Sequence, residues 1–142
     1  MAEFEVVWAN WASEHEALIR LRNEVFVEEQ KVPLELELDG LDQDCQHVKA
    51  VAANSIIGCA RLLPDFHVGR MCVLKDWRGR GVGSAILAYL IDFAREQKIS
   101  LVQLNAQVSA APFYRRFGFE AHGEIFLDAG IEHSKMTLII DP

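Results

Sequence analysis

Residues His67 to Gln97 read HVGRMCVLKDWRGRGVGSAILAYLIDFAREQ, and the rest of the chain is read outward from them. HVGRMCV is short, largely apolar and rich in strand-forming residues, so a strand is expected. Ile86, Leu87, Leu90, Ile91 and Ala94 fall on one face of a helix. Between the two lie Gly79, Gly81 and Gly83. Glycine allows close backbone approach and unusual φ/ψ. The first turn of a helix presents unpaired N–H groups and a positive dipole end. A glycine-rich turn from strand to helix is therefore an anion cradle. Arg70, Lys75, Arg78 and Arg80 are expected around it, against the single acid Asp76. That places four of the 14 basic residues in a short stretch of a chain whose net charge is −7.

The ligand expected there is a phosphate or pyrophosphate. A P-loop needs a lysine before the final Ser or Thr, and Gly83-Ser84 follows Val82. A dinucleotide fingerprint needs G-x-G-x-x-G and an acid on the next strand. The spacing here is G-x-G-x-G, and Leu101 to Gln107 has no acid. A general nucleotide-binding domain is thereby disfavoured.

The run from Arg78 through Gly81 to Gly83, R-x-x-G-x-G, resembles the cofactor loop of the GNAT family of acyl-CoA N-acyltransferases. A later run, Ala110 to Phe119 (AAPFYRRFGF), resembles that family's A-x-x-F-Y-x-x-x-G-F segment. LRNEVFVEEQ (Leu21 to Gln30), LDGLD (Leu38 to Asp42), Ala106-Gln107 and GIEH (Gly130 to His133) are similar to the small bacterial ElaA-like branch. The resemblance covers nearly the whole chain.

At 142 residues, 51% of them hydrophobic, the chain is expected to form one domain spanning residues 1–142. No apolar run approaches the length of a membrane span, and MAEFEVVW lacks a signal-peptide pattern. Cys45, Cys59 and Cys72 are an odd set without metal spacing, so reduced thiols and a cytoplasmic protein are expected. The acidic balance argues against nucleic-acid binding. The five histidines show no ligand spacing, and no metal is expected.

In chain order, Phe4, Val6 and Trp8 alternate as a half-buried strand. Ser13-x-x-Glu16 reads as a capping box for a helix reaching about Phe26. Glu24 to Asp44 holds eight acids and one base. Within it, Leu34, Leu36 and Leu38 alternate with acids as a short strand would. This segment reads either as a solvated acidic loop or as the wall of a pocket for a cationic amine, and the resemblance favours the second. Gln46 to Ala52 and Ile56 to Leu63 form a hairpin about Asn54-Ser55. Ser109 is the expected cap of a short helix that holds Pro112 and ends at Gly118. Phe119 to Leu127 and Ile131 to Ile140 flank a three-residue loop at Asp128 to Gly130. The resulting class is α+β, a mixed and mostly antiparallel sheet with helices on both faces. The resemblance adds a splay between the strands at Val68 to Val73 and Leu101 to Gln107, which would hold a pantetheine arm.

The resemblance implies an N-acetyltransferase that joins acetyl-CoA to a primary amine by direct attack in a ternary complex. It implies cofactor contacts at Met71, Cys72 and Val73, at Arg78, Gly79, Arg80, Gly81, Val82, Gly83 and Ser84, and at Gln107 and Tyr114. Tyr114 is the expected general acid beside the CoA sulfur. The backbone N–H of Val73 is the expected oxyanion donor. Candidate general bases are Glu28, Glu29, Asp39, His47 and His133, with histidine better matched in pKa and Glu28 and His133 carried forward. Cys72 reads as a small buried residue and not as a nucleophile. Gln107 stands where the family often has asparagine, and Lys75 where its loop often has proline. A small-molecule or peptidic amine, cationic in form, is the expected acceptor. A homodimer is one option for the assembly. The competing reading is a non-catalytic acyl-CoA-binding or sensing module on the same fold.

Overall fold

The structure, a computed structural model, describes residues 3–140. Seven strands form one sheet in the order β1-β2-β3-β4-β5-β7-β6. They are β1 (Glu5–Ala9), β2 (Gln46–Ala52), β3 (Ser55–Leu62), β4 (His67–Val73), β5 (Leu101–Gln107), β6 (Glu120–Asp128) and β7 (Ile131–Ile139). Every neighbouring pair is antiparallel except β4 and β5. The helices are α1 (Trp11–Arg22), α2 (Leu34–Glu37), α3 (Val82–Glu96) and α4 (Ala111–Arg115). The expected α+β class, mixed sheet and helices on both faces are all present.

Each face of the sheet takes one long helix. On one side Val82, Ile86, Leu87, Leu90, Ile91 and Ala94 of α3 are buried against β2 to β5. On the other, Leu18, Leu21 and Val25 pack over Cys59 and Cys72. Gly58 lets α3 approach β3 closely. A side chain there would meet Ile86 Cδ1 and Val82 Cγ1 at 3.1 Å and the Cys72 carbonyl oxygen at 3.2 Å.

Several local expectations are corrected. The cap of α1 is Asn10, whose Oδ1 accepts from the Ser13 N–H while Glu14 Oε1 accepts from the Asn10 N–H. This is the reciprocal pattern of a capping box, started three residues earlier than the Ser13 reading. Beyond Arg22 the helix widens into a π-type turn over Asn23–Glu29, where Gln30 N–H donates to Val25 O. The Leu34 to Leu38 segment is one helical turn, not a strand. Its alternation is overruled because the turn buries Glu37, not the leucines. The β2–β3 hairpin turns on Ala53-Asn54 and the β6–β7 hairpin on Ala129-Gly130, all four at positive φ. Both are two-residue turns, and positive φ at both central positions suits the twist of the strands. Ser109 makes no cap; α4 starts at Ala111 with Pro112 in its first turn.

The feature that shapes the site lies between β4 and β5. They are in parallel register only at His67–Gln103 and Val68–Leu104, and then diverge. β4 also carries one extra residue opposite β3: Cys59 pairs with Cys72, but Arg61 pairs with Gly69. The bulge is at Arg70, which sits in the left-handed region with φ of 51°.

Candidate functional site

A cleft of about 810 Å³ follows the divergence of β4 and β5. At one end stands the turn before α3. Gly79 and Gly81 have φ of 77° and 84°, and a side chain at either would meet nothing within 4 Å. These are positions where the backbone needs glycine and the space above is open. Gly81 is the N-cap of α3, and the first helical bond runs from Ala85 N–H to Gly81 O. The N–H groups of Val82, Gly83 and Ser84 are therefore left for another partner. The first turn carries no acid. This is an anion cradle in both geometry and sign.

The basic cluster expected around the cradle divides. Arg78 donates from Nε to Val73 O at 2.9 Å and pairs with Glu29 at 3.0 Å. Arg80 lies over the Trp77 ring at 4.6 Å. Lys75 is exposed on the turn that follows β4. Arg70 is elsewhere: it sits at the far end of the cleft, because β4 runs extended from the bulge to the loop.

Along the wall, Leu74 N–H donates to Ile57 O of β3. Alternation along β4 then turns the N–H and C=O of Met71 and Val73 away from β3, to the open side. Cys72 turns its main chain to β3, and its thiol lies 3.8 Å from that of Cys59. The Cys59 thiol and burial both push the Cys72 thiol well above its ordinary pKa. It is thus a neutral, packed group and not a nucleophile.

Tyr114 lines the cleft from α4, its ring edge-on to Phe113 and Phe119. Its hydroxyl makes no hydrogen bond among the described residues. Burial pushes the phenol up to about 12, so it stays protonated across the working pH range. It is a weaker acid than a thiol, and its strength is as a hydrogen-bond donor to developing negative charge.

His133 stands on β7 in register with Gln107 of β5, and both line the cleft. The His133 Nδ1–H donates to Ile131 O at 2.7 Å, since a carbonyl can only accept. This fixes the tautomer and leaves Nε2 with a free lone pair when the ring is neutral. Gln107 Nε2 donates to Gln30 Oε1 at 2.8 Å, a bridge from β5 to the π-type turn. Gln30 closes the Leu21 to Gln30 run that carries the resemblance, but no local pattern marks it as a site residue. Its place above Val25 follows from the i→i−5 bond.

The other candidate bases lie outside this arrangement. Glu28 is on the outer surface beside Ile19, Arg20 and Asn23. Glu29 is paired with Arg78. His47 stacks on Trp11 at 4.4 Å and donates from Nε2 to Asp42 O. Burial lowers its pKa below the usual imidazole value.

Asp39 belongs to a network that the sequence reading did not foresee. Arg22 meets Glu37 at 2.6 Å and Asp42 at 2.8 Å. Arg61 meets Asp42 at 3.0 Å and Asp39 at 2.5 Å. Arg70 meets Asp39 at 3.3 Å and donates to the carbonyls of Leu36 and Glu37, closing the end of α2. Hydrogen bonds from Arg61 hold the Asp39 carboxyl far below the usual range. Burial works against the charged form of Asp42, but the hydrogen bonds and charges of Arg22 and Arg61 outweigh it, and its pKa also falls. The acids at 37, 39 and 42 are thus neither a solvated loop nor free charge. One signal was present: Arg22 shares the apolar stripe of Leu18, Leu21 and Val25.

Among the described residues no group of three or more His, Cys, Asp or Glu is gathered to hold a metal. No helix among them is long and apolar enough to cross a membrane.

Comparison with known proteins bears out the fold and the family resemblance. The family profile of the acetyltransferase (GNAT) domain matches residues 11–140. YjcF, an uncharacterized N-acetyltransferase of Bacillus subtilis, is 40% identical over 120 residues, covering 82% of this chain and 86% of its own. The crystal structure of an acyl-CoA N-acyltransferase from Pseudomonas aeruginosa superposes with a TM-score of 0.85 at 31% identity, covering 95% of this chain and 99% of that one. Escherichia coli ElaA superposes with a TM-score of 0.83 at 28% identity, covering 97% and 99%.

Proposed function

The chain belongs to the GNAT acetyltransferase family, and on that premise we propose that it is a single-domain, cytoplasmic enzyme transferring an acetyl group from acetyl-CoA to a primary amine that arrives as a cation. The observation that carries this reading is one continuous path. It runs from the free amides of α3, along the open edge of β4, to Tyr114 and His133.

The residues fit the donor. The amides of Val82, Gly83 and Ser84 would take the pyrophosphate, with Gly79 and Gly81 giving the room it needs. Arg80 stands beside this turn. Arg78 orders the loop through Val73 O. Met71 and Val73 offer main-chain groups to the pantetheine amides, as an added strand would. When bound, the thioester supplies an electrophilic carbonyl and a thiolate leaving group.

The protein's own part has three elements. The Val73 N–H, turned to the open side of β4, donates to the oxyanion; a preorganised donor of this kind contributes about 3 kcal/mol. His133 Nε2 accepts the proton that the attacking amine must lose, directly or through one water. Tyr114 donates its hydroxyl hydrogen bond to the sulfur as negative charge builds there. Glu28 lies outside the path and takes no part.

A thiol-release screen with acetyl-CoA against a panel of amines tests the proposal, beside calorimetric titration with CoA. Binding of CoA with thiol release that depends on an amine is expected. Binding of CoA without release for any amine would return the protein to the sensing reading.

A further inference from the structure

The far end of the cleft, beyond the Arg70 bulge, has a composition that the acyl-transfer chemistry does not explain. Arg22, Arg61 and Arg70 face Glu37, Asp39 and Asp42, three charges against three. The network is balanced, so it does not call for a simple cation or a simple anion. Yet it is not closed. Arg61 Nε and Glu37 Oε2 are buried without a hydrogen-bond partner, in side chains 4% and 1% exposed as residues. Nη1 of Arg70 makes no hydrogen bond among the described residues. Buried polar atoms are nearly always paired, and an unpaired one costs free energy. What remains unpaired is a pair of guanidinium donors and one carboxylate acceptor, and the residues Glu37, Asp39, Arg61 and Arg70 all line the cleft.

Gly69 adds an independent observation. Its φ is not positive, so the backbone does not require glycine. A side chain there would meet only Arg61 Nε at 3.5 Å and Arg61 Cγ at 3.9 Å, both ordinary contacts. Packing does not require glycine either. The absent side chain leaves the position 3.5 Å from Arg61 Nε free for another group.

Resting on the acyl-transfer reading of the cleft, we propose that the acceptor is a free diamino acid whose α-carboxylate docks over Gly69 on Arg61 Nε and Arg70 Nη1, with its α-ammonium group beside Glu37 Oε2 and its side-chain amine left to reach the acyl carbon. A zwitterion leaves the balanced network balanced and satisfies both open donors and the open acceptor. A polyamine would satisfy only the acceptor. Guanidinium pairs recognise carboxylates by planar, charge-assisted hydrogen bonds, which suits this end of the cleft.

Matched pairs test the proposal: lysine against cadaverine, and ornithine against putrescine. Thiol release from acetyl-CoA is expected to have a kcat/KM at least about tenfold higher for the amino acid of the preferred pair. Gly69→Ala and Arg70→Gln should erase that preference by raising KM for the amino acid, with kcat for the amine partner little changed. Gly69→Ala should keep the wild-type melting temperature, which separates blocked access from misfolding. Equal or better use of the amines, or a Gly69→Ala variant with its preference intact, would overturn the proposal. Calorimetry of the same amino acids on CoA-saturated protein gives a readout free of turnover. Absence of binding by both, while CoA binds and amines release thiol, overturns this inference alone; failure of CoA to bind overturns the acyl-transfer reading and this inference with it.

Discussion

Arg78 donates from Nε to the carbonyl oxygen of Val73 at 2.9 Å, so the loop before α3 holds the end of β4 by the residue whose N–H faces the cleft. The guanidinium is exposed and also meets Glu29, a contact that contributes little to stability. Its value is in placing Val73. Arg78→Gln is expected to lower kcat and CoA affinity together while changing the melting temperature by little. Unchanged kinetics in that variant would detach the loop arginine from the strand end.

The cradle is tested at Gly81. Gly81→Val puts a β-branched residue at φ of 84°, a strain of about 1–3 kcal/mol. The protein itself has room for the side chain, so the variant should fold. CoA affinity should fall at least about tenfold by calorimetry. A folded Gly81→Val variant with undiminished affinity would move the phosphate site elsewhere.

Tyr114→Phe keeps the ring against Phe113 and Phe119 and removes the hydroxyl. Turnover should drop by roughly tenfold to 10²-fold, with CoA affinity near constant, because the lost bond matters most when charge reaches the sulfur. Steady-state thiol release on two equally stable proteins is the measurement. Equal rates would leave Tyr114 as packing alone.

His133→Asn keeps an N–H where Nδ1 stands for Ile131 O but removes the proton acceptor at Nε2. The expected loss in kcat is about 10²-fold, with little change in CoA binding. A rate close to wild type would pass the base role to solvent.

The arginine network makes stability depend on acid. Asp39 and Asp42 both have folded pKa values below their ordinary ones. Their contribution is therefore complete above the ordinary aspartate value of about 3.9, and is lost as pH falls below it toward the folded values. Melting temperature should drop steeply below about pH 4. Asp39→Asn, the milder change because its carboxylate is partly exposed, should flatten part of that slope. Asp42→Asn leaves Arg22 and Arg61 underpaired in the interior and should cost about 3–5 kcal/mol at neutral pH. A melting curve indifferent to pH between 5 and 3 would contradict the network.

The strand, glycine turn and helix from His67 to Gln97 were legible because each is local: two periodicities joined by residues with special φ. Hairpin turns were displaced because Ala53 and Ala129 occupy positions that favour glycine or asparagine, so the sequence pointed to their neighbours. The Leu34 to Leu38 turn was misread because its conformation answers to Arg22 and Arg70, at sequence distances that no local pattern spans. The same pairing hid the true state of the acidic segment. Charge counted along a chain does not tell which charges are already neutralised in the fold.

The sheet is two leaves stitched at one end. β1 to β4 form one leaf and β5, β7 and β6 the other, and the stitches between them are His67–Gln103, Val68–Leu104 and the bond from Gln103 N–H to Phe66 O. Amides at the parted ends of β4 and β5 should be among the first in the sheet to exchange with solvent hydrogen, since fewest bonds must break to free them. A molecule lying between the leaves and bonded to β4 acts as an extra rung. It suppresses that breathing by a factor of one plus the ratio of free ligand to Kd, so the rigidity of the sheet becomes a function of ligand concentration.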